Sequence, residues 1–198
     1  MLLIPKLSLL SGSPRVSSIS IFGTNTSSAA SVTAPASIQA GDFIIFDQFT
    51  RNIGVPTSVT SSGITNVFDF NDGNNKSMCD VKIAVGSEGG TSITGMDGVN
   101  DYKTIIVVRG DAPIRGYTIL SLATQTTSGN PTAQNCTAAT GPVPLIIIGH
   151  YATDGTVNPR TFSPAADAEL TPNVNFYTLY KIYNSSPSNT SVDMDDEG

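Results

Sequence analysis

The fold class of this chain is decided by the stretch SMCDVKIAVG, residues 77–86. Its residues alternate strictly: positions 79, 81, 83 and 85 would face one way, and positions 78, 80, 82 and 84 the other. A period of two residues is that of a β-strand, whose successive side chains point to opposite faces of a sheet. The stretch therefore predicts a half-buried strand with its Cys/Val/Ile side inward.

Three shorter stretches are continuously apolar rather than alternating. They are FIIF at 43–46, IIVV at 105–108 and LIII at 145–148, each bounded by Gly, Pro or Asp. β-Branched runs of this length are typical of strands that are covered on both faces. Further predicted strands are residues 17–23, 64–70, 117–123, 134–138, 175–183 and 190–194.

Turn-forming pairs separate these segments at intervals of roughly eight to fifteen residues, as Gly, Asn and Asp favour turns. No window has the 3.6-residue period of a helix, and residues 163–170, with Pro164 in a first-turn position, are the one place for a helical turn. About ten strands with little or no helix predict an all-β fold, an antiparallel β-sandwich or jelly roll.

The 198 residues favour one domain. We predict an N-terminal arm or first strand over residues 1–16 and a single β-sandwich domain over residues 17–198. Pro5 and Lys6 interrupt the apolar N-terminus, which differs from the order of a signal peptide. Residues 24–40 are the best linker candidate, although their pattern favours an ordered strand and turn leading into Asp42.

The composition is polar but almost uncharged. Charged residues make up 13%, whereas 23 Ser and 23 Thr are present, and the net charge is −6. Nucleic acid is therefore not predicted as a partner, because phosphate contacts need clustered Lys and Arg. No apolar run has the length needed to cross a bilayer, so no membrane association is predicted.

Residues that perform chemistry are scarce. His150 is the single histidine, and it follows a predicted buried strand. No Gly-x-Ser-x-Gly motif accompanies the many serines. Cys79, Cys136 and His150 are too few and too scattered for a zinc site, and two buried free thiols are the preferred interpretation of the cysteines. We predict no enzyme, and no catalytic, cofactor or metal-binding residues.

The alternative function is that of a β-sandwich module that hydrolyses or binds glycosides. Hydrolysis would need only two carboxylates a few ångströms apart. Glu88 lies in a glycine-rich turn and would have to approach Asp80, Asp97 or Glu169. The absence of Trp disfavours this alternative, since sugar clefts usually carry aromatic platforms.

Two short motifs have simpler explanations than function. Residues 69–75, DFNDGNN, resemble the start of a calcium loop, but Gly and the final acid are out of register, which favours a polar hairpin turn. Residues 109–111 spell Arg-Gly-Asp, which we interpret as a strand end followed by a turn.

Five segments together resemble a β-rich domain of virion proteins from tailed bacteriophages, particularly environmental and marine phages. They are PASIQAGDFIIFDQ (35–48), SSGIT (61–65), VKIAVGSEGGTSIT (81–94), IIVVRGDAPI (105–114) and PLIIIGHYATDG (144–155). The second segment is commonly Pro-Ser-Gly-Trp-Thr in that pattern, and this chain has Ser61 and Ile64 at the Pro and Trp positions. The resemblance implies a virion structural role and carries over no catalytic residues.

The resulting expectation is a capsid decoration, or cement, protein on the head surface. Its partners would be the major capsid protein or other virion proteins and further copies of itself, since assemblies multiply weak contacts. A tail-fibre, tail-tip or tube component that binds a host glycan is the alternative. Such a receptor binder would show a groove lined by tyrosines from this set: Tyr102, Tyr117, Tyr151 and Tyr177.

Overall fold

The structure is a computed structural model that is all-β and antiparallel. It describes residues 2–3, 6–10, 15–29, 31–51, 63–71, 75–94, 101–121, 124–125, 143–152, 160–163, 165–173, 176–185 and 193–196. None of these residues is helical, and none belongs to a helix that could cross a membrane. The architecture is consistent with the predicted β-sandwich.

The strands, in chain order, are β1 Leu2–Leu3, β2 Lys6–Leu10, β3 Ile19–Ser27, β4 Ser31–Thr33, β5 Phe43–Arg51, β6 Thr65–Asn71, β7 Asn75–Ile83, β8 Ser92–Thr94, β9 Asp101–Gly110, β10 Gly116–Ser121, β11 Thr124–Gln125, β12 Leu145–Ala152, β13 Arg160–Ser163, β14 Ala168–Asn173, β15 Phe176–Tyr183 and β16 Asp193–Asp196. They divide into two compact units. The first unit is residues 10–116, and the second is residues 1–9 with 117–198.

The first unit is built on a five-stranded sheet in the order β3-β9-β5-β7-β6. Its central strand β5 pairs with β9 on one side, Ile44 opposite Val107, and with β7 on the other, Ile44 opposite Lys82. A two-stranded ribbon, β4 with β8, completes the unit. The apolar runs at 43–46 and 105–108 thus become neighbouring strands at the centre of the sheet.

Both faces of this sheet are buried along its central strands. Every residue of the 43–46 and 105–108 runs is at most 3% exposed, as expected for strands covered on both sides. Residues 77–83 form a strand within β7, as predicted, but the prediction of half-burial was wrong, and Val85 on the supposed inward side is 68% exposed beyond the strand end. Met78, Asp80 and Lys82, on the supposed solvent face, are as buried as Cys79 and Val81, and their polar groups have partners within the protein.

The ribbon packs on one of the two faces. Val32 of β4 joins the core cluster that contains Ile44 and Phe46 of β5, and Ile93 of β8 packs against the same cluster. Short strands of three residues cannot hide much area alone, so the ribbon gains its stability from this apolar contact.

The second unit has a sheet in which β12 is central. β12 pairs with β15 along its whole length, and it also pairs with β1 and β2. Its residues Ile146, Ile147 and Ile148 are all buried, as the continuous apolar run predicted. Strands β13 and β16 form a separate pair in this unit.

Three further sequence-based predictions concern the N-terminal arm, residues 163–170 and residues 134–138. Residues of the predicted N-terminal arm contribute β1 and β2 to the sheet of the second unit. The helical turn allowed at residues 163–170 is absent from its described part, because Ala168 to Leu170 pair with β15 instead. The predicted strand at residues 134–138 lies outside the described residues.

Truncation of the central strand tests this packing. We expect Ile44→Ala, at a position with no solvent exposure, to lower the free energy of unfolding by about 2–5 kcal/mol, because it leaves a cavity between the sheet and the ribbon. Val85→Ala is the matched control: Val85 is 68% exposed, and its truncation should change stability by less than about 0.5 kcal/mol. Urea denaturation measures both, and equal losses would contradict the assigned burial.

Candidate functional site

Three loops meet at one end of the first unit's sheet, where β5 begins and β7 and β9 end. They comprise residues 34–42, 84–91 and 109–114, and we call them the three-loop cluster. Main-chain hydrogen bonds join them: Gly41 N–H donates to Ala84 O at 2.9 Å, and Ile114 N–H donates to Gly41 O at 2.8 Å. The antiparallel register places these strand ends side by side, with Phe43 between Ile83 and Val108.

Glycines allow the loops to approach so closely. A Cβ on Gly89 would lie 3.0 Å from the backbone nitrogens of both Ser37 and Ile38. Gly41 has a φ of +89°, and a Cβ there would lie 2.6 Å from the Cβ of Pro113. Glycine is required at Gly89 because a side chain would meet the facing backbone, and at Gly41 because the positive φ is combined with close contact with Pro113. The three-loop cluster is therefore closely packed rather than loosely hinged.

An ion pair between Asp42 and Arg109 holds two of the loops together. Arg109 Nε and Nη2 donate to the two carboxylate oxygens of Asp42 at 2.8 and 2.7 Å, and Nη2 also donates to Ser37 O at 3.0 Å. The guanidinium lies over the ring of Phe22, 3.7 Å from its centroid. This bidentate and stacked geometry is specific to arginine.

The charged side chains of the Arg-Gly-Asp tripeptide bind other groups of the protein. β9 ends at Gly110, as the strand-end interpretation predicted, and Asp111 lies in the turn. The Asp111 carboxylate accepts hydrogen bonds from the backbone N–H and the hydroxyl of Ser17, and these bonds lower its pKa. Both charged ends of the tripeptide are thus engaged by neighbouring segments.

Glu88 closes the second loop. Its carboxylate accepts hydrogen bonds from the backbone N–H groups of Val85 and Gly86 at 3.0 and 2.9 Å, and Lys82 Nζ lies 2.8 Å away. Burial alone would raise the pKa of Glu88, but the Lys82 hydrogen bond and charge and the backbone donors lower it to about 2. An acid of this strength is ionised at neutral pH and is poorly suited to general acid catalysis.

Three carboxylates were considered as partners of Glu88. Asp80 is buried and accepts a hydrogen bond from Asn66 Nδ2 at 2.9 Å. Glu169 lies on β14 of the second unit, and Asp97 lies outside the described residues. Within the described part of the first unit, Glu88 therefore has a lysine rather than a second carboxylate as its partner.

The cysteine and histidine predictions are resolved in part. Cys79 is a buried free thiol, and burial raises its pKa well above the usual value, with a further increase from Asp47 and Asp80. Cys136 lies outside the described residues. His150 lies on β12 opposite Leu3 and Thr178 in the sheet, while its side chain is not among those described.

The tyrosines of the alternative glycan groove are described within their own units. Tyr102 stacks on Phe49 within the first unit, with ring centroids 6.2 Å apart. Tyr177 is buried on β15, and Tyr117 is half-buried on β10. The side chain of Tyr151 lies outside those described.

The described residues contain no group of three or more His, Cys, Asp or Glu side chains able to hold a metal ion. On either side of the predicted polar turn, β6 and β7 are antiparallel neighbours, with Asn71 opposite Lys76. Residues 72–74 of that motif lie outside the described set.

Comparison of the chain with protein families, with curated proteins and with solved structures finds no match. What the chain can do is therefore argued from its geometry. Three of the five segments that carry the phage resemblance, 35–48, 81–94 and 105–114, supply the three-loop cluster. The sequence marked these segments but not their pairing, since nothing in a single chain shows that Asp42 will meet Arg109, 67 positions away.

We expect Arg109→Lys to lower the free energy of unfolding by about 1–2 kcal/mol, although the charge is kept. Lysine cannot reproduce the bidentate contact with Asp42 together with the stacking on Phe22. Arg115→Lys, at an exposed position six residues later, is the control and should be neutral. Urea denaturation compares the two, and a neutral Arg109→Lys would show that the pair does not hold the loops.

Glu88 should give the protein a specific dependence on pH. Because its pKa falls from 4.5 to about 2 on folding, the ionised carboxylate stabilises the fold above pH 4.5, and this contribution is lost as the pH falls toward 2. Glu88→Gln should therefore be less stable at pH 7 and lose less stability between pH 4.5 and 2 than the unmodified chain. Denaturation midpoints across this range measure the effect.

Glu169→Gln, which alters an exposed glutamate on β14, is the matched control for Glu88→Gln. Its profile should follow that of the unmodified chain. Parallel profiles for the Glu88→Gln variant and the unmodified chain would refute the assigned role of Glu88.

Proposed function

We propose that this chain is a structural protein of a tailed-bacteriophage virion, and specifically a decoration protein that stabilises the head by contacting neighbouring capsid subunits. The observation that carries the proposal is the three-loop cluster. It gathers the phage-like segments into one rigid surface whose Asp42, Glu88, Arg109 and Asp111 all bind groups of the protein itself. This arrangement favours a scaffold over a reactive site.

The outward side of the three-loop cluster suits broad, weakly charged contacts. Its exposed positions in the first two loops are small or neutral residues: Ala36, Ser37, Gln39, Ala40, Val85, Gly86, Ser87, Gly90 and Thr91. Val85 is the exposed large apolar side chain of the described part, and Glu88 fixes the loop that carries it. A preorganised surface loses little entropy on binding, which supports repeated contacts of modest strength.

The partners that fit this surface are the major capsid protein and further copies of the chain. Its contacts would be main-chain and hydroxyl hydrogen bonds together with apolar packing at Val85. The net charge of −6 disfavours contact with packaged DNA and agrees with a place on the outside of the virion.

Binding to capsids tests the proposal directly. The purified chain is mixed with capsids of the phage that encodes it, stripped of minor proteins, and the bound fraction and capsid melting temperature are measured. We expect saturable binding at a fixed number of copies per capsid and a rise in melting temperature. Gel filtration with light scattering on the free chain gives its oligomeric state.

A charge introduced at Val85 locates the contact. Val85→Asp should weaken capsid binding at least about tenfold, because an unpaired charge would be desolvated in an apolar contact. Glu169→Gln is the control and should bind as the unmodified chain does. Unchanged binding of Val85→Asp would exclude the three-loop cluster as the contact surface.

An oligomer that ignores capsids would overturn the decoration role. It would move the assignment to a tail fibre, tail tip or tube, and a glycan-array screen would then test receptor binding. Release of sugar from an array glycan would overturn both and favour a glycoside-processing module.

A further inference from the structure

The short strands β1 and β2 lie in the interior of the second unit's sheet. Both pair with β12 on one side, with Leu3 opposite His150 and Leu7 opposite Ile146. On the other side β1 pairs with β11 and β2 with β10, in the sheet order β10-β2-β12-β1-β11. Among the described strands, β10 and β11 join the sheet only through these pairings. We call β1 and β2 the donor strands, and the gap that they fill the slot.

The donor strands are far in sequence from every strand that they pair with. They end at Leu10, whereas β10 begins at Gly116 and β12 at Leu145. The strands in between, β3 to β9, belong to the first unit, and its five-stranded sheet has the order β3-β9-β5-β7-β6. That sheet is therefore complete whichever copy's slot the donor strands occupy.

The second unit's sheet depends on a filled slot. An empty slot would leave one edge of β12 without partners and would separate β12 from β10 and β11. Ile146 and Ile147, which pair with Leu7 and Lys6, are at most 1% exposed, and unpaired backbone groups at such buried positions are costly. The same strand from a second copy would make the same contacts in the same register.

Three edge strands of the described sheets are poorly suited to pairing with another copy. In the first unit, β3 has a register shift between Ile21 and Gly23, and β6 has one between Asn66 and Phe68. In the second unit, the edge strand β14 also has a register shift. Such irregularities bend an edge strand and oppose the addition of a further strand. Strand pairing between copies is therefore favoured at the slot rather than at these edges.

The connection between the donor strands and the first unit sets how far they can reach. β2 ends at Leu10 and β3 begins at Ile19, so the connection spans at most about 30 Å when fully extended. This length is close to the diameter of a small domain. The donor strands of one copy are thus long enough in their connection to enter the slot of an adjacent copy.

We propose that two copies of this chain exchange their donor strands, so that each copy fills the slot of the other. The pairing in both sheets is unchanged by the exchange, and its main cost is the lost freedom of two separate chains. Copies that are held close together lose less freedom, which favours exchange in an assembly. The proposal rests on the fold alone and does not require the decoration role.

Disulfide trapping tests the exchange. Leu3 and His150 are register partners, and the Cα atoms of such partners are about 4.5–5.5 Å apart, which suits a disulfide. Leu3→Cys and His150→Cys are made in separate full-length chains, one of which carries a size tag, and both native thiols are removed by Cys79→Ala and Cys136→Ala. The two chains are mixed unfolded in equal amounts, refolded together and oxidised.

We expect a disulfide-linked heterodimer on a non-reducing gel, because this bond joins two different chains only when the donor strand of one lies in the slot of the other. Random pairing of the two chain types would place up to about half of the chains in this species. Light scattering on the unmodified chain should give twice its mass of 20.6 kDa.

Two matched variants control the trapping. A single chain that carries both Leu3→Cys and His150→Cys should form the disulfide almost completely, which verifies that the pair can close. Ser28→Cys, at an exposed position just after β3, should give no heterodimer with His150→Cys. Circular dichroism verifies that each variant is folded.

Three results would overturn the proposal. If the double variant closes only within single chains and the mixed variants give no heterodimer, the donor strands stay in their own slot. A double variant that forms no disulfide would contradict the register of β1 with β12, and a monomeric mass of the unmodified chain would exclude a stable exchanged dimer. None of these measurements uses capsids, so failure here is distinguishable from failure of the decoration role.

Discussion

The burial of the first unit's sheet on both faces is the constraint on which the rest of this unit depends. A sheet with one face in water can place its polar side chains there, but β5, β7 and β9 have no such face. Every charged side chain buried on them must therefore find a partner inside the protein, since an unpaired buried charge is strongly destabilising. The Lys82–Glu88 pair is a direct result, because the lysine that alternation placed outward is only 5% exposed.

This requirement explains the form of the loops. Glu88 must reach back to Lys82, which closes residues 84–91 into a tight turn, and Asp42 must meet Arg109 where β5 begins and β9 ends. Two opposite-charge pairs leave the three-loop cluster neutral at these positions. The ion pairs that give the buried charges of the sheet their partners thus also hold the loops in place. Because these charges are paired with each other, they do not steer a distant charged ligand.

The sequence was sufficient for the elements and insufficient for their environment. The runs at 43–46, 105–108 and 145–148 form strands that are buried on both faces. Continuous runs rich in β-branched residues are typical of such strands, because both of their faces are apolar. Residues 77–86 show the limit. Alternation identified the strand, but a buried Lys that pairs with a later Glu has the same pattern as a Lys in water. The ribbon strands β4 and β8 were too short for periodicity to reveal them individually.

The site could be predicted as a set of segments but not as an arrangement. Glycines at 86, 89 and 90 and the Arg-Gly-Asp segment predicted turns at strand ends, yet the contact between Arg109 and Asp42 depends on strand order. Gln48 carried no signal at all, since a polar residue after FIIFD is ordinary near a strand end. It becomes informative only beside the other buried groups of this sheet. Asp42, Asp80, Lys82 and Glu88 all have partners within the protein, whereas Gln48 Nε2 and Thr104 Oγ1 of the same sheet have none. The pairing that two-sided burial demands is thus met by the charged groups of the sheet and not by every neutral one, because an unpaired buried charge is far more costly than an unpaired amide or hydroxyl.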